Sequence, residues 1–321
     1  MSLPEVLWLE LEKISSDFNK KILVSDAQKI SQKYRDNKGA DVKMLSSKNQ
    51  AIAYSVSRMP ATYAACYSVL KHTQELISNE PFSMLDVGAG TGAASWAALD
   101  LLNLKKLDCF EREQSMIEVA KRLMKNLNTP TKINWQSFDL RKDAILDKYD
   151  IVFAAYVLNE FTDKERIEIL EKLWKATNDL LTIVEPGTPH NFQQVKEMRQ
   201  HLLNKGGCIV APCSHCKDCA IEDGDWCNFS CRIERSKMQK MAKNGEAPYE
   251  DEKFAYIVVS KKQDIRAKAR IIRHPIYTPK VVTLQLCTEN GIKKEIITKS
   301  NKLYKIARKA SHGDVFTYNE E

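Results

Sequence analysis

One short segment, Leu85-Asp-Val-Gly-Ala-Gly-Thr-Gly92, limits the folds open to this chain more than any other. It closes an apolar run that begins near Phe82 and leads straight into the alanine-rich stretch from Ala93 to Leu102. Gly88, Gly90 and Gly92 permit a tight turn and a close backbone approach to a ligand at a helix N-terminus. Glu111 stands 19 residues beyond Gly92 and ends the next apolar run, the place from which a carboxylate reaches ribose hydroxyls. No Gly-Lys-Ser/Thr follows the glycines, so the loop is not that of a P-loop ATPase. Strand, glycine loop, helix, strand and acid together indicate a nucleoside-containing cofactor on a parallel sheet.

The same grammar continues. Short apolar runs at Leu107 to Glu111, Ile133 to Gln136, Asp150 to Ala155 and Leu180 to Val184 alternate with helical stretches at Ser115 to Leu127 and Thr162 to Thr177. Strands separated by helices of that length form an α/β architecture with crossover helices. Residues 1 to 80 read as a helical segment, with Leu7, Leu9, Leu11 and Ile14 in a first amphipathic stretch. A longer one runs from Ile52 to Leu76, with a break or helix start at Pro60. Residues 81 to 205 read as a Rossmann-like domain, and residues 206 to 321 as a smaller domain with β-type runs at Ala255 to Ser260, Val281 to Leu286 and Ile292 to Thr298.

That last region carries most of the thiols: six of the nine cysteines fall between Cys208 and Cys231. The N-terminal residues carry acids early and lack a basic leader, which points to a cytosolic protein. In a reducing compartment, clustered cysteines usually bind metal. No apolar run approaches the roughly 20 residues of a membrane helix, and no membrane partner is expected. Charge is uneven. Between Lys253 and His312 there are 15 Lys and Arg against three acids, a balance of +12 in a chain whose total is +7. A basic face of that kind suits a polyanion, whose binding would be salt-dependent, although a solvated lysine-rich surface accounts for it as well.

Nicotinamide dinucleotides and S-adenosylmethionine share this architecture, and further blocks choose between them. Residues 85 to 92 resemble the first motif of the seven-strand S-adenosylmethionine methyltransferases, in which the leading acid, here Asp86, lies near the methionine end of the cofactor. Phe138-Asp139 resembles the position that contacts the adenine, although Asp139 could equally cap a helix. Tyr156-Val-Leu-Asn-Glu160, Val184-Glu-Pro-Gly-Thr-Pro189, Arg58-Met-Pro-Ala-Thr-Tyr63, Ala211-Pro-Cys213 and Ile306-Ala-Arg-Lys-Ala310 are similar to blocks of one branch, the small-ribosomal-subunit methyltransferase-like family. Its members are ribosome assembly factors of bacteria and mitochondria.

The resemblance implies S-adenosylmethionine bound by Asp86, Gly88, Gly90, Gly92, Glu111 and Asp139. It also implies a [4Fe–4S] cluster on Cys213, Cys219, Cys227 and Cys287, and a partner in the small ribosomal subunit and its RNA. A distant fourth ligand at Cys287 would staple the basic β segment to the cysteine loop. Cys208, Cys216 and Cys231 are extra thiols, and Asn228 stands where the family usually has His. Cys216 could therefore replace a ligand, and four thiolates also suit tetrahedral zinc, with His215 as a further donor, or carry no metal at all.

Catalysis is less legible. The proline pair of base-amine methylases is missing from Ala154-Ala-Tyr-Val-Leu-Asn-Glu160, and so is a nucleophilic Cys. Glu160 could act as a general base and Asn159 as a substrate ligand, or both could cap the helix that starts near Thr162. Two functions follow: methylation of small-subunit ribosomal RNA, or assembly of that subunit on a non-catalytic methyltransferase scaffold.

Overall fold

The computed structural model describes residues 1–36, 47–74, 80, 82–243, 245–262 and 266–317. Among the described residues four α-helices come first: α1 Glu5–Ser16, α2 Lys20–Asp36, α3 Lys48–Ser57 and α4 Met59–Thr73. Leu7, Leu11 and Ile14 of α1 are buried, as a 3.6-residue period requires, whereas Leu9 lies off that stripe and is exposed. Pro60 sits in the first turn of α4, where its missing N–H has no partner to lose, so the break read there is a helix start.

The alternating region then runs β1 Phe82–Val87, α5 Ala93–Leu101, β2 Leu104–Glu111, α6 Gln114–Leu123, β3 Lys132–Ser137, β4 Tyr149–Ala155, α7 Asp163–Ala176, β5 Thr177–Pro186 and α8 Pro189–Asn204. It continues through β6 Cys208–Ala211, β7 Phe229–Glu234, α9 Lys237–Ala242 and β8 Tyr249–Ser260. These strands form one eight-stranded sheet in the order β3-β2-β1-β4-β5-β8-β6, with β7 also paired to β8. Every pair from β3 to β5 is parallel, and β8 runs antiparallel to β5, β6 and β7.

Right-handed crossovers carry the chain outward from β1 in one direction and, after β4, in the other. They place α5 and α6 on one face and α7 and α8 on the opposite one. Both faces are therefore covered, and Leu85, Val87, Val152 and Phe153 are fully buried along the central strands. This is the Rossmann-like methyltransferase sheet expected from the glycine loop, widened by β7. Its topological switch lies between β1 and β4, where a crevice opens at the strand ends.

The first sheet reaches Ser260, so the division expected at residue 206 falls inside it. The reason is β8, whose buried run pairs with β5 along Phe254 to Ser260. A second sheet starts only at Ala269 and contains β9 Ala269–Ile271, β10 Ile276–Thr278, β11 Val281–Thr288 and β12 Gly291–Thr298, followed by α10 Tyr304–Ala307. Val282, Leu284 and Leu286 of β11 join Ile271, Ile297 and Phe316 in a small core of its own. Side chains alternate along a strand, and Cys287 belongs instead to the main core. Strand β11 thus faces two ways, and Cys287 is its link to the larger body.

Candidate functional site

At the switch point the glycine loop is held by a carboxylate. Glu111 Oε2 accepts a hydrogen bond from the Gly90 amide at 2.8 Å, and Oε1 accepts one from the Glu113 amide at 2.8 Å. Gly88 adopts φ +63°, and a Cβ there would stand 2.4 Å from Val157 Cγ2, so only glycine lets the β4 loop close over it. Together these contacts frame a pocket with about 800 Å³ of empty space, counting its open mouth.

Gly88, Gly90, Glu111, Asp139 and Glu160 line that pocket, and Phe110 and Phe138 stack in its wall with centroids 4.4 Å apart. Burial pushes the Glu160 carboxyl up to about 7, with the Glu111 charge adding to the effect. Burial also raises Glu111. Arg112, Glu113, Arg141, Tyr54 and Tyr156 complete the polar lining. The Asp139 carboxylate accepts the Arg141 amide at 3.0 Å, so it caps a turn rather than a helix while remaining at the pocket.

Three expected residues stand elsewhere. Asp86 is buried and accepts the Ser95 hydroxyl at 2.6 Å, and burial pushes its carboxyl up to about 7. It ties β1 to α5 instead of lining the pocket. Gly92 serves as the N-cap of α5 at φ +89°. Asn159 also lies outside the pocket wall, and its backbone amide helps to hold Glu185.

Helix capping does not account for Asn159 or Glu160. Helix α7 is capped by Thr162 and Glu165 in a reciprocal capping box. The turn from Leu158 to Glu160 is anchored by Glu185, which accepts the Leu158 amide at 3.0 Å. Glu185 is fully buried, and desolvation pushes its carboxyl up to about 8. Tyr156 takes φ +56°, rare for a bulky residue, and donates to Glu252 Oε1 at 3.1 Å. Arg58 lies 3.6 Å from the same carboxylate. Glu252 and Tyr156 were not singled out by sequence reasoning; the signal was the pair of family-like blocks around Arg58 and Tyr156.

A second cavity gathers the cysteines. Cys213, Cys219, Cys227 and Cys287 all line it, together with side chains of α8 and β8. Burial, then mutual repulsion, raises the thiols of Cys213, Cys227 and Cys287, the last up to about 12. Two arginines brace the loop that carries them. Arg199 donates to the carbonyls of His215 at 3.0 Å and Lys217 at 2.7 Å, and Arg270 donates to those of Pro212 at 3.0 Å and Gly313 at 2.8 Å. Among the described residues, no three His, Cys, Asp or Glu side chains are grouped so as to hold one metal ion. Four thiols share a cavity without closing on a common point.

Cys216 is not in that wall, and neither is Cys208: the two sulfurs lie 3.5 Å apart on their own. Cys231 is separate again, beside the Glu252 carbonyl. His215 is buried in the cavity wall.

The basic segment divides into two kinds of cation. Lys261 donates to the Trp174 and Thr177 carbonyls, Arg266 to thiols, Arg270 to backbone and Arg273 to Asp225. Lys294, Lys299, Lys302, Lys305 and Lys309 are exposed on and after β12. Before residue 280, Arg266, Arg270 and Arg273 are thus engaged internally, while Lys253, Lys261, Lys262 and Lys268 are exposed like the lysines that follow β12.

The family model for the mitochondrial small ribosomal subunit protein Rsm22 matches residues 48–317. The chain belongs to the Rsm22 family. This Rsm22-family chain is 23% identical to the human ribosome assembly protein METTL17, mitochondrial, over 83% of its own length and 62% of the relative's. It is 24% identical to the Rsm22-cox11 tandem protein 2, mitochondrial, of Schizosaccharomyces pombe, over 96% of its length and 48% of that protein's. It thus spans about half to three-fifths of the curated relatives it matches. Among solved structures it is similar to magnesium protoporphyrin IX methyltransferase of Synechocystis PCC 6803, with 12% identity, 76% and 97% of the two chains covered, and a TM-score of 0.44. The fold assignment rests on the strand order, not on that likeness. The cytoplasmic placement expected from the N-terminal residues is overturned, because these Rsm22-family relatives are mitochondrial proteins.

Proposed function

We propose that this chain binds S-adenosylmethionine at the β1/β4 switch point and acts in assembly of the small ribosomal subunit, with a [4Fe–4S] cluster on Cys213, Cys219, Cys227 and Cys287. The observation that carries the cofactor reading is the Glu111 carboxylate, which pre-sets the glycine loop through Gly90. Each of its oxygens accepts one amide and keeps lone-pair capacity for a ribose hydroxyl. Glu111 and Glu160 suit a cofactor that carries a sulfonium cation, and the Phe110–Phe138 wall offers an apolar slot for a base. Bound there, the cofactor supplies an electrophilic methyl group.

The ribosomal reading is supported by membership of the Rsm22 family and by the assembly role in the human relative's name. The exposed lysines from Lys294 to Lys309 are the surface we assign to RNA. The cluster reading is supported by four thiols around one cavity, braced by Arg199 and Arg270. The cluster's part is to join the β6–β7 loop to β11, a contribution to folding.

A second reading, methyl transfer to ribosomal RNA, is favoured by one feature. The Glu160 carboxyl lies in the pocket and titrates at about 7, where a general base is most effective. Asn159 then positions the turn and does not touch the substrate.

The test is to sediment anaerobically purified protein with small subunits from cells lacking it, in the presence of methyl-labelled S-adenosylmethionine. Salt-dependent co-sedimentation is expected, and label in the RNA would establish the second reading. Protein that stays unbound at every salt concentration contradicts the ribosomal assignment.

A further inference from the structure

Outside the four-cysteine cavity, two further thiols face each other. Cys208 opens β6 opposite Ser260 of β8, and Cys216 lies in the loop beyond Pro212. Their sulfurs are 3.5 Å apart. One guanidinium serves both: Arg266 donates to Cys216 Sγ at 3.0 Å and to Cys208 Sγ at 3.3 Å. The Ile209 amide is a second N–H donor to Cys216 Sγ, at 3.2 Å. Both thiols are partly accessible to solvent. A disulfide needs sulfurs at about 2.0 Å, so closure asks for about 1.5 Å of travel from side chains that already point at each other.

We propose that Cys208 and Cys216 form a reversible dithiol, oxidised to a disulfide by exchange with a low-molecular-weight disulfide of the glutathione class. Arg266 is its positioning residue. Two N–H donors converge on the Cys216 sulfur and hold it toward Cys208, and the thiolate of Cys216 is the attacking form. Cys216 attacks one sulfur of the small disulfide and expels a first thiolate, leaving a mixed disulfide. Cys208 gives up its proton, attacks the Cys216 sulfur and expels the second. Two protein thiols and one small disulfide become one protein disulfide and two small thiols, with atoms and electrons balanced.

Burial and the hydrogen bond to Cys216 push the Cys208 thiol up to about 11, which fits it to the second, resolving position. The bond would close a short loop that contains Cys213 and His215 and so fix one edge of the four-cysteine cavity. The dithiol is independent of what that cavity holds.

The experiment uses the full chain, purified anaerobically and equilibrated in glutathione buffers of graded ratio. Free thiols are then blocked and the peptides mapped by mass spectrometry. A Cys208–Cys216 cross-linked peptide is expected, lost again on raising reduced glutathione, with both thiols leaving the alkylated pool together. Thiols that stay alkylatable over the whole range would overturn the proposal, as would a lasting glutathione adduct or pairing with another cysteine. Arg266→Met keeps both sulfurs and should slow closure roughly tenfold, the order expected for losing a charge-assisted bond to each. An unchanged rate would overturn the role given to Arg266.

Discussion

Glu111 and Gly90, 21 residues apart, are joined by a 2.8 Å hydrogen bond from the glycine amide to the carboxylate. The acid that ends β2 is thereby part of the loop that follows β1 and fixes it from within the protein. Preorganisation of this kind reduces the ordering cost of binding. It also explains why the spacing of glycines and acid was informative in the sequence: both belong to one structural unit.

Glu185 gives the clearest pH signature. The folded chain keeps its proton up to about pH 8, against 4.5 for the ordinary carboxyl. Between those values the native state binds more protons than the unfolded one, so stability falls as pH rises through that window. Glu160 and Asp86, both at about 7, act in the same direction. Thermal melts at pH 6 and pH 8 should differ by about 2 kcal/mol from Glu185 alone. Glu185→Gln still accepts the Leu158 amide and should remove most of that difference; an unchanged slope would show that Glu185 is not the source.

Thr162 tests the assignment of the cap. Thr162→Ala should cost about 1 kcal/mol of stability, the usual loss for a helix N-cap. Asn159→Ala should leave the helix signal in circular dichroism unchanged. The reverse ranking would restore Asn159 as the cap.

Much of the sheet was legible because fully buried parallel strands read as apolar runs, as at Val152 to Ala154. Strands β6 and β7 were not. One has four residues among cysteines, and the other, Phe229-Ser-Cys-Arg-Ile-Glu234, mixes charge into a half-exposed edge. The glycine loop, Glu111 and the gathering of four cysteines followed from local pattern and family likeness. The partner of Asp86 was not legible in the same way, because the Ser95 hydroxyl that it accepts comes from α5 across the sheet–helix interface. The division of cations into internal braces and exposed lysines depends on tertiary partners, which no charge count contains.

If Cys287 is a ligand of the proposed cluster, it should be indispensable to it. Cys287→Ser, purified anaerobically, is expected to lose the broad visible absorption and the bound iron of the parent chain and to melt at lower temperature. Retained iron would remove Cys287 from the ligand set, and stoichiometric zinc in the parent would replace the cluster outright.

The proposed RNA face is tested by moving charge where it is exposed. Lys294→Glu, Lys299→Glu and Lys305→Glu together should weaken small-subunit binding and flatten its salt dependence by roughly one unit of slope for each phosphate no longer neutralised. Folding should be preserved, since these side chains are exposed. Arg270→Glu, by contrast, should unfold the region around Pro212 and Gly313, to whose carbonyls Arg270 donates. Equal effects from both sets would mean that binding does not run through the exposed face.

The most direct test is calorimetric titration of S-adenosylmethionine into the purified chain and its Glu111→Ala variant. Saturable binding at one site is expected in the parent, weakened at least about tenfold in the variant by loss of the carboxylate that holds Gly90. No binding by the folded parent, or equal affinity in the two proteins, would contradict the assignment of this pocket to the cofactor.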